Sequence, residues 1–291
     1  MKIFKSLVKV LEHPLNRNNK LNTFFNLIWW KINQLFFKIP AIIEIAPNRK
    51  CICKPESSFG SLIVYTNRPE YMEMKLTELI LKKDSIFLDV GSGIGDFSLI
   101  ASSKITTGKI LAFEPSKEPL ETLKENIAIN FLEDKVKIID QVASDRVGEI
   151  VFEEASVSEV SHIGYSTKGN KKKTNTLDNI IKQNKLKEID LIKIDVEGAE
   201  SLVIKGLEES LKNGKVMSMI IELNSNAKLF NSSKLKIVKK LVKYNFKVYL
   251  INDESLSKFN PKQVTESSTI NILAINKYYK NIGRISKFLS S

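Results

Sequence analysis

Only two cysteines and two histidines occur in the 291 residues. Cys51 and Cys53 are too few and too close to build a disulfide framework. With His13 and His162 elsewhere they form no zinc-type ligand set, so no metal is expected. A reduced, cytoplasmic setting follows. No stretch of 18 apolar residues runs without a charge, which excludes a membrane-spanning helix. Lys2, Lys5 and Lys9 break up the first ten residues, so no secretory signal fits. Acids are scarce at one end: residues 1–60 hold ten Lys or Arg against three Glu. That segment carries +7 of the chain's +12, leaving +5 for the other 231 residues. Such a bias suits an anionic partner, whether a membrane surface, a nucleic acid or an acidic glycan. Apolar residues at 43% and charged residues at 27% otherwise give the balance of a globular chain with a full core.

The basic segment, residues 1–60, reads as a helical appendage to a main domain of residues 61–291. Between Leu21 and Ile39 the apolar positions 21, 24, 25, 28, 29, 32, 35, 36 and 39 follow helical spacing. Asn22, Thr23, Asn26, Lys31, Asn33, Gln34 and Lys38 fill the opposite face, and Pro40 ends the helix. The stripe needs cover, and a neighbouring domain supplies it without lipid. An interfacial helix at the inner membrane surface, with Trp29 and Trp30 at headgroup level, and a protein partner are the alternatives.

Residues 41–83 connect the two parts, with a hairpin expected around Phe59-Gly60 and a helix over 70–81. Strands then alternate with helices. Strands are expected at 86–90, 109–113, 136–142, 149–153, 189–194, 216–222, 246–251 and 269–275. Helices fall at 96–103, 117–130, 199–211 and 233–244, and Lys168–Lys173 reads as a solvated basic loop. This alternation predicts parallel βαβ units in a doubly wound α/β sheet, with one of the last two strands antiparallel.

The sequence Asp89-Val-Gly-Ser-Gly-Ile-Gly-Asp96 sits where the first of these strands meets its helix. Glycines there let the backbone turn and a ligand approach it. Asp96 and Ser98 occupy positions where a dinucleotide fingerprint needs glycine, and the Lys-Ser/Thr end of a phosphate loop is missing. An acid two residues before the first glycine suits a cationic ligand, as S-adenosylmethionine is with its ammonium and sulfonium. Glu114 closes the next strand, where a carboxylate can accept hydrogen bonds from a ribose diol.

Four stretches together resemble the FkbM family of S-adenosylmethionine-dependent methyltransferases: 87–98, Ala112-Phe-Glu-Pro115, Thr176-Leu-Asp178 and Asp190-Leu-Ile-Lys-Ile-Asp-Val-Glu-Gly-Ala-Glu200. Ile220-Ile-Glu-Leu-Asn224 resembles the family's next strand, although an aromatic and a His often stand where Leu223 and Asn224 do. Ser92-Gly93 likewise replace a frequent Ala-Asn. The resemblance spans about residues 70–277. It implies a mostly parallel, seven-stranded class I methyltransferase (Rossmann-like) sheet, with Asp89, Gly91, Ser92, Gly93, Gly95, Glu114 and Asp195 as cofactor-binding residues. It also implies O-methylation of a hydroxyl on a glycan or secondary metabolite.

In such a sheet, ligands bind beyond the carboxyl ends of the strands, where strand order reverses. The family's order puts the Asp89 and Asp195 strands side by side there. Methyl transfer is an in-line displacement and a hydroxyl is a poor nucleophile, so a positioned base helps. Asp195 is the first candidate and Glu222 the second, with His162 behind them; Glu200 reads as structural. A nucleic-acid methyltransferase is suggested by charge alone, and no N/D-P-P-Y/F tetrapeptide for base methylation is present. A silent cofactor-binding or membrane-docking module is the third reading.

Overall fold

A computed structural model describes residues 2–153, 162–163, 170–230, 232–279 and 282–289. The chain opens with helices α1 (Lys2–Glu12) and α2 (Lys20–Ile32), the latter extended by a π turn over Asn33–Phe37. Strands β1 (Ala41–Ala46) and β2 (Arg49–Cys53) form a hairpin, followed by α3 (Ser58–Thr66) and α4 (Tyr71–Ile80). The alternating part runs β3 (Ile86–Val90), α5 (Asp96–Lys104), β4 (Lys109–Phe113), α6 (Lys117–Ile129) and β5 (Val136–Ile139). An excursion follows with β6 (Val142–Ala143), β7 (Gly148–Glu153), β8 (His162–Ile163) and β9 (Asn170–Asn175). The chain returns through α7 (Leu177–Gln183), β10 (Leu191–Ile194), α8 (Glu200–Lys205), α9 (Glu208–Lys212) and β11 (Ser218–Leu223). Helix α10 (Lys234–Lys243) and strands β12 (Phe246–Ile251), β13 (Leu256–Lys258) and β14 (Ile270–Asn276) complete it.

The main sheet has the order β13-β12-β14-β11-β10-β3-β4-β5. It is parallel from β5 to β11, and β14 runs antiparallel between β11 and β12. The doubly wound architecture holds, with an eighth strand added to the expected seven. Three-residue β13 pairs antiparallel with the end of β12, and only its Leu256 is buried, so it has no period to read. The central strands read as continuous apolar runs because helices cover both faces. Phe87, Ile110 and Leu191 pack on one side, and Leu88, Val90, Ile192 and Ile194 on the other.

Four local expectations are corrected. The hairpin turns at Pro47-Asn48, whereas Phe59 and Gly60 lie in α3, whose start Ser57 caps by accepting a hydrogen bond from Gly60 N–H. Cys51 and Cys53 alternate inward from β2 into the same core as Ile63, Met72 and Phe97. The helix expected over 199–211 is broken at Gly206, where a side chain would meet Ser144 O at 2.0 Å. Strand β9 (Asn170–Asn175) overlaps the expected basic loop Lys168–Lys173 and runs between β6 and β7, with Lys171 and Lys173 facing solvent; residues 168 and 169 lie outside the described residues.

The fourth correction concerns α2, which docks by the face opposite its apolar stripe. Thr23 and Trp30 are buried, and Trp30 Nε1 donates to Ser61 Oγ at 2.9 Å. Asn33, read as part of a polar face, is buried and closes the helix end. Its Nδ2 donates to Ile39 O, and its Oδ1 accepts from Ile39 N–H. The stripe itself is left exposed, from Leu21 at 75% through Phe25 at 63% to Phe36 at 75%. The expectation that a neighbouring domain covers it therefore fails: the periodicity locates an apolar face without saying which face makes contact.

Candidate active site

The strand order reverses between β3 and β10, and the loop after β3 crosses that point. Gly91 has φ +81°, and a Cβ there would sit 1.8 Å from Asp195 O, so only glycine lets the two strand ends lie so close. The loop is anchored to β4 by Gly91 N–H and Ser92 N–H, both donating to Phe113 O. Gly93 N–H donates to Glu114 Oε2 at 2.8 Å, and Gly95 forms the cap of α5. Asp89, Gly91, Ser92, Gly93, Glu114 and Asp195 all line one cavity of about 300 Å³. Gly95 lies behind it against Leu123.

Charge in this cavity is concentrated and buried. Asp89 is 1% exposed; its Oδ2 accepts from Ser98 Oγ at 2.7 Å, while Oδ1 has no partner among the described residues. Asp96 is buried, and its Oδ2 likewise has no partner among the described residues. Burial pushes Asp89 up to about 6 and Asp96 to about 7, although Lys193 pulls both down. Lys193 sits at 4% exposure in the middle of β10. Its Nζ bonds Asp195 Oδ2 at 2.9 Å, reaches Glu70 Oε2 at 3.4 Å and lies 4.3 Å from the Phe97 ring centre. Burial alone would lower its pKa, but Asp195, Glu70, Asp89 and Asp96 together raise it well above normal.

Glu114 is buried at the end of β4 and accepts from Gly93 N–H and from Ser116 N–H, both at 2.8 Å. Desolvation lifts it to about 7 against those two bonds. At the far end of the cavity, Glu197 adopts φ +52° and its Oε2 accepts from Asn224 Nδ2 at 2.6 Å. Glu200 closes the same turn by accepting from Gly198 N–H at 2.7 Å. Its second oxygen is buried without a partner among the described residues, and burial raises the group to about 8. Glu222, at the end of β11, is raised to about 8 by burial and then by Asp195. Carboxylate oxygens of Asp195, Glu197 and Glu222 lie within 4.8 Å of one another, a spacing that could hold a cation. His162 pairs through its backbone with Glu153, and its side chain lies outside the described residues.

Sequence reasoning named the loop and the strand-end acids, but gave no role to Lys193, Asp96 or Glu70. Lys193 did leave a signal: one charge inside the buried strand Leu-Ile-Lys-Ile demands carboxylate partners. Glu70 left none, because the contact joins residues 123 positions apart and only the fold creates it.

A doubly wound sheet with an acid-led glycine loop at its switch point defines a class I methyltransferase. The sequence model described as "Methyltransferase FkbM domain" matches residues 89–248, and the chain belongs to that family. It is 28% identical over 173 residues to the hexuronic acid methyltransferase AglP of Haloferax volcanii, covering 56% of this chain and 70% of that protein. It is 28% identical over 162 residues to methyltransferase sdnD of Sordaria araneosa, covering 44% and 62%. A tRNA (guanine(37)-N(1))-methyltransferase of Dictyostelium discoideum is 33% identical over 138 residues, covering 47% of this chain but 28% of that one. Among solved structures, the FkbM methyltransferase of Methylobacillus flagellatus KT aligns at 15% identity with a TM-score of 0.45, over 73% of this chain and 52% of that chain.

Proposed function

We propose that the protein transfers a methyl group from S-adenosylmethionine to a hydroxyl of a glycan or related metabolite. The observation that carries this reading is that Asp89, in the lining of the glycine-loop cavity, is buried with its Oδ1 unpartnered among the described residues. A buried carboxylate with an orphaned oxygen is costly unless a cation completes it. Asp89 and Asp96 would receive the ammonium, the Gly91–Gly93 backbone would cradle the amino-acid tail, and Glu114 would hold the ribose. When bound, this cofactor supplies an electrophilic methyl on a cationic sulfur.

The acceptor has room beside it. A second cavity of about 790 Å³ is lined by Glu70, Glu73, Asn271 and His13, and Glu70 also faces Lys193 of the first cavity. Glu222 stands directly opposite Asn271 in the β11–β14 register, so both side chains project from the same face of the sheet. Glu222 would take the proton of the acceptor hydroxyl, while Asp195, fixed by Lys193, would orient that hydroxyl. A sugar hydroxyl fits this polar lining, and AglP is named for methylating hexuronic acid.

Calorimetry with S-adenosylmethionine, its demethylated product, NAD and ATP tests cofactor choice; tight NAD binding with no response to the first two would overturn the assignment. Transfer of labelled methyl to RNA but not to oligosaccharides would overturn the acceptor class. Glu114→Ala should weaken cofactor binding by about 1–3 kcal/mol, the range for hydrogen bonds to a charged group. An unchanged affinity with a lower melting temperature would make Glu114 purely structural.

Asp195→Asn and Glu222→Gln should each lower turnover by roughly 10²–10⁴, the scale of a lost general base. The two differ in their pH profiles. Glu222 works deprotonated and is raised to about 8, so wild-type turnover should climb with pH toward that value. The Glu222→Gln profile should lose that limb and Asp195→Asn should keep it; the opposite pattern would exchange their roles.

A further inference from the structure

We propose that α2 and the turn after it seat the protein on an anionic lipid surface. Leu21, Phe25, Trp29, Leu35, Phe36 and Phe37 are each more than half exposed, on a helix whose other face is already docked. Apolar patches of this extent on a soluble chain mark a binding surface. The occupant follows from charge. No Asp or Glu occurs between Glu12 and Glu44; Arg17 and Lys20 are already paired with Glu254 and Glu12, which leaves Lys31 and Lys38 as the cations beside the apolar face. Lys31 and Lys38 are exposed at the edges of the apolar face. A second copy using the same patch would set these cations against their own equivalents with no acid to neutralise them. Anionic headgroups neutralise them, and an interfacial aromatic such as Trp29 sits at the headgroup boundary. Among the described residues no helix is long and apolar enough to cross a membrane, so the contact is peripheral.

The attachment leads toward the glycine-loop cavity. Trp30 Nε1 and Gln34 Nε2 both donate to Ser61 Oγ of α3, at 2.9 and 3.0 Å. Ser58 and Phe59, in the first turn of α3, line the glycine-loop cavity. The lipid-facing helix therefore lies one helix away from the rim of that cavity, and docking would hold the rim close to the bilayer.

Co-sedimentation of the full chain with vesicles of phosphatidylcholine alone, or with 30% phosphatidylglycerol (about one lipid in three, enough for a surface potential), tests this. The full chain should bind the anionic vesicles, release as salt rises because the lysine contribution is screened, and show a blue shift of Trp29 emission that Trp29→Phe removes. Phe25→Glu/Phe36→Glu, changed only at exposed positions, should lower vesicle affinity by at least about tenfold, on the scale of 1.4 kcal/mol per decade. The melting temperature should not move. Absence of vesicle binding would overturn the proposal. So would a concentration-dependent dimer in light scattering that the double variant dissolves, since a second copy would then cover the face. Neither readout depends on cofactor or turnover, so failure here is distinct from failure of the methyltransferase assignment.

Discussion

Replacing Lys193 by Met should cost about 3–5 kcal/mol of stability at neutral pH, the scale for leaving buried partners of an ion pair uncompensated. The lysine is the one described cation whose ammonium reaches both Asp195 and Glu70, and it draws down Asp89 and Asp96 as well. Met fills the same volume beside Phe97, so the loss reports charge rather than a cavity. The sign of its pH dependence is fixed. Without Lys193 the surrounding carboxyls hold protons more tightly in the folded than in the unfolded chain, so stability falls as pH rises. The variant should approach wild-type stability near pH 5 and diverge from it by pH 8. Urea denaturation at both values measures the gap, and Glu70→Gln added to Lys193→Met should recover part of it. Equal loss at both pH values would show that Lys193 contributes packing alone.

What the sequence made legible is what a short stretch of chain determines by itself. The glycine loop, Glu114 after β4 and the Asp195-Val-Glu197 turn each lie within one strand–turn–helix unit, where residue type dictates backbone path. The doubly wound order followed from alternation, and the antiparallel β14 from the missing crossover helix before it. Features created by two distant segments were not legible. Glu70 meets Lys193 only after α4 packs on α5, and Asn271 comes opposite Glu222 only when β14 inserts between β11 and β12. The β1–β2 hairpin was visible in hindsight as paired inward positions at Cys51 and Cys53, but those thiols drew a redox reading instead of a packing one. In α2, one buried indole hydrogen bond from Trp30 and one side-chain cap from Asn33 outweigh nine apolar positions in deciding which face docks.

Asp89→Asn should separate the cofactor's demand from the fold's. Asn keeps the shape and can still accept from Ser98, but it presents no charge to an ammonium, so S-adenosylmethionine affinity should fall by about 10²-fold, near the upper end for a hydrogen bond to a charged group. Stability should move the other way. Asp89 titrates at about 6 in the fold against an ordinary 3.8, because desolvation outweighs Lys193 and Ser98. Between those values the folded chain binds the proton more tightly than the unfolded chain. Wild-type stability therefore falls as pH rises through that window, and the penalty persists in full above pH 6. Asn carries no such penalty, so the variant should gain on the order of 1–3 kcal/mol at pH 8, following about 1.4 kcal/mol per unit. Near pH 4 it should gain almost nothing. Added cofactor should raise the wild-type melting temperature at pH 8 and leave the variant nearly unmoved. A variant that melts earlier than wild type at pH 8 would mean that the Asp89–Lys193 attraction exceeds the burial cost, and Asp89 would then serve the fold as much as the ligand.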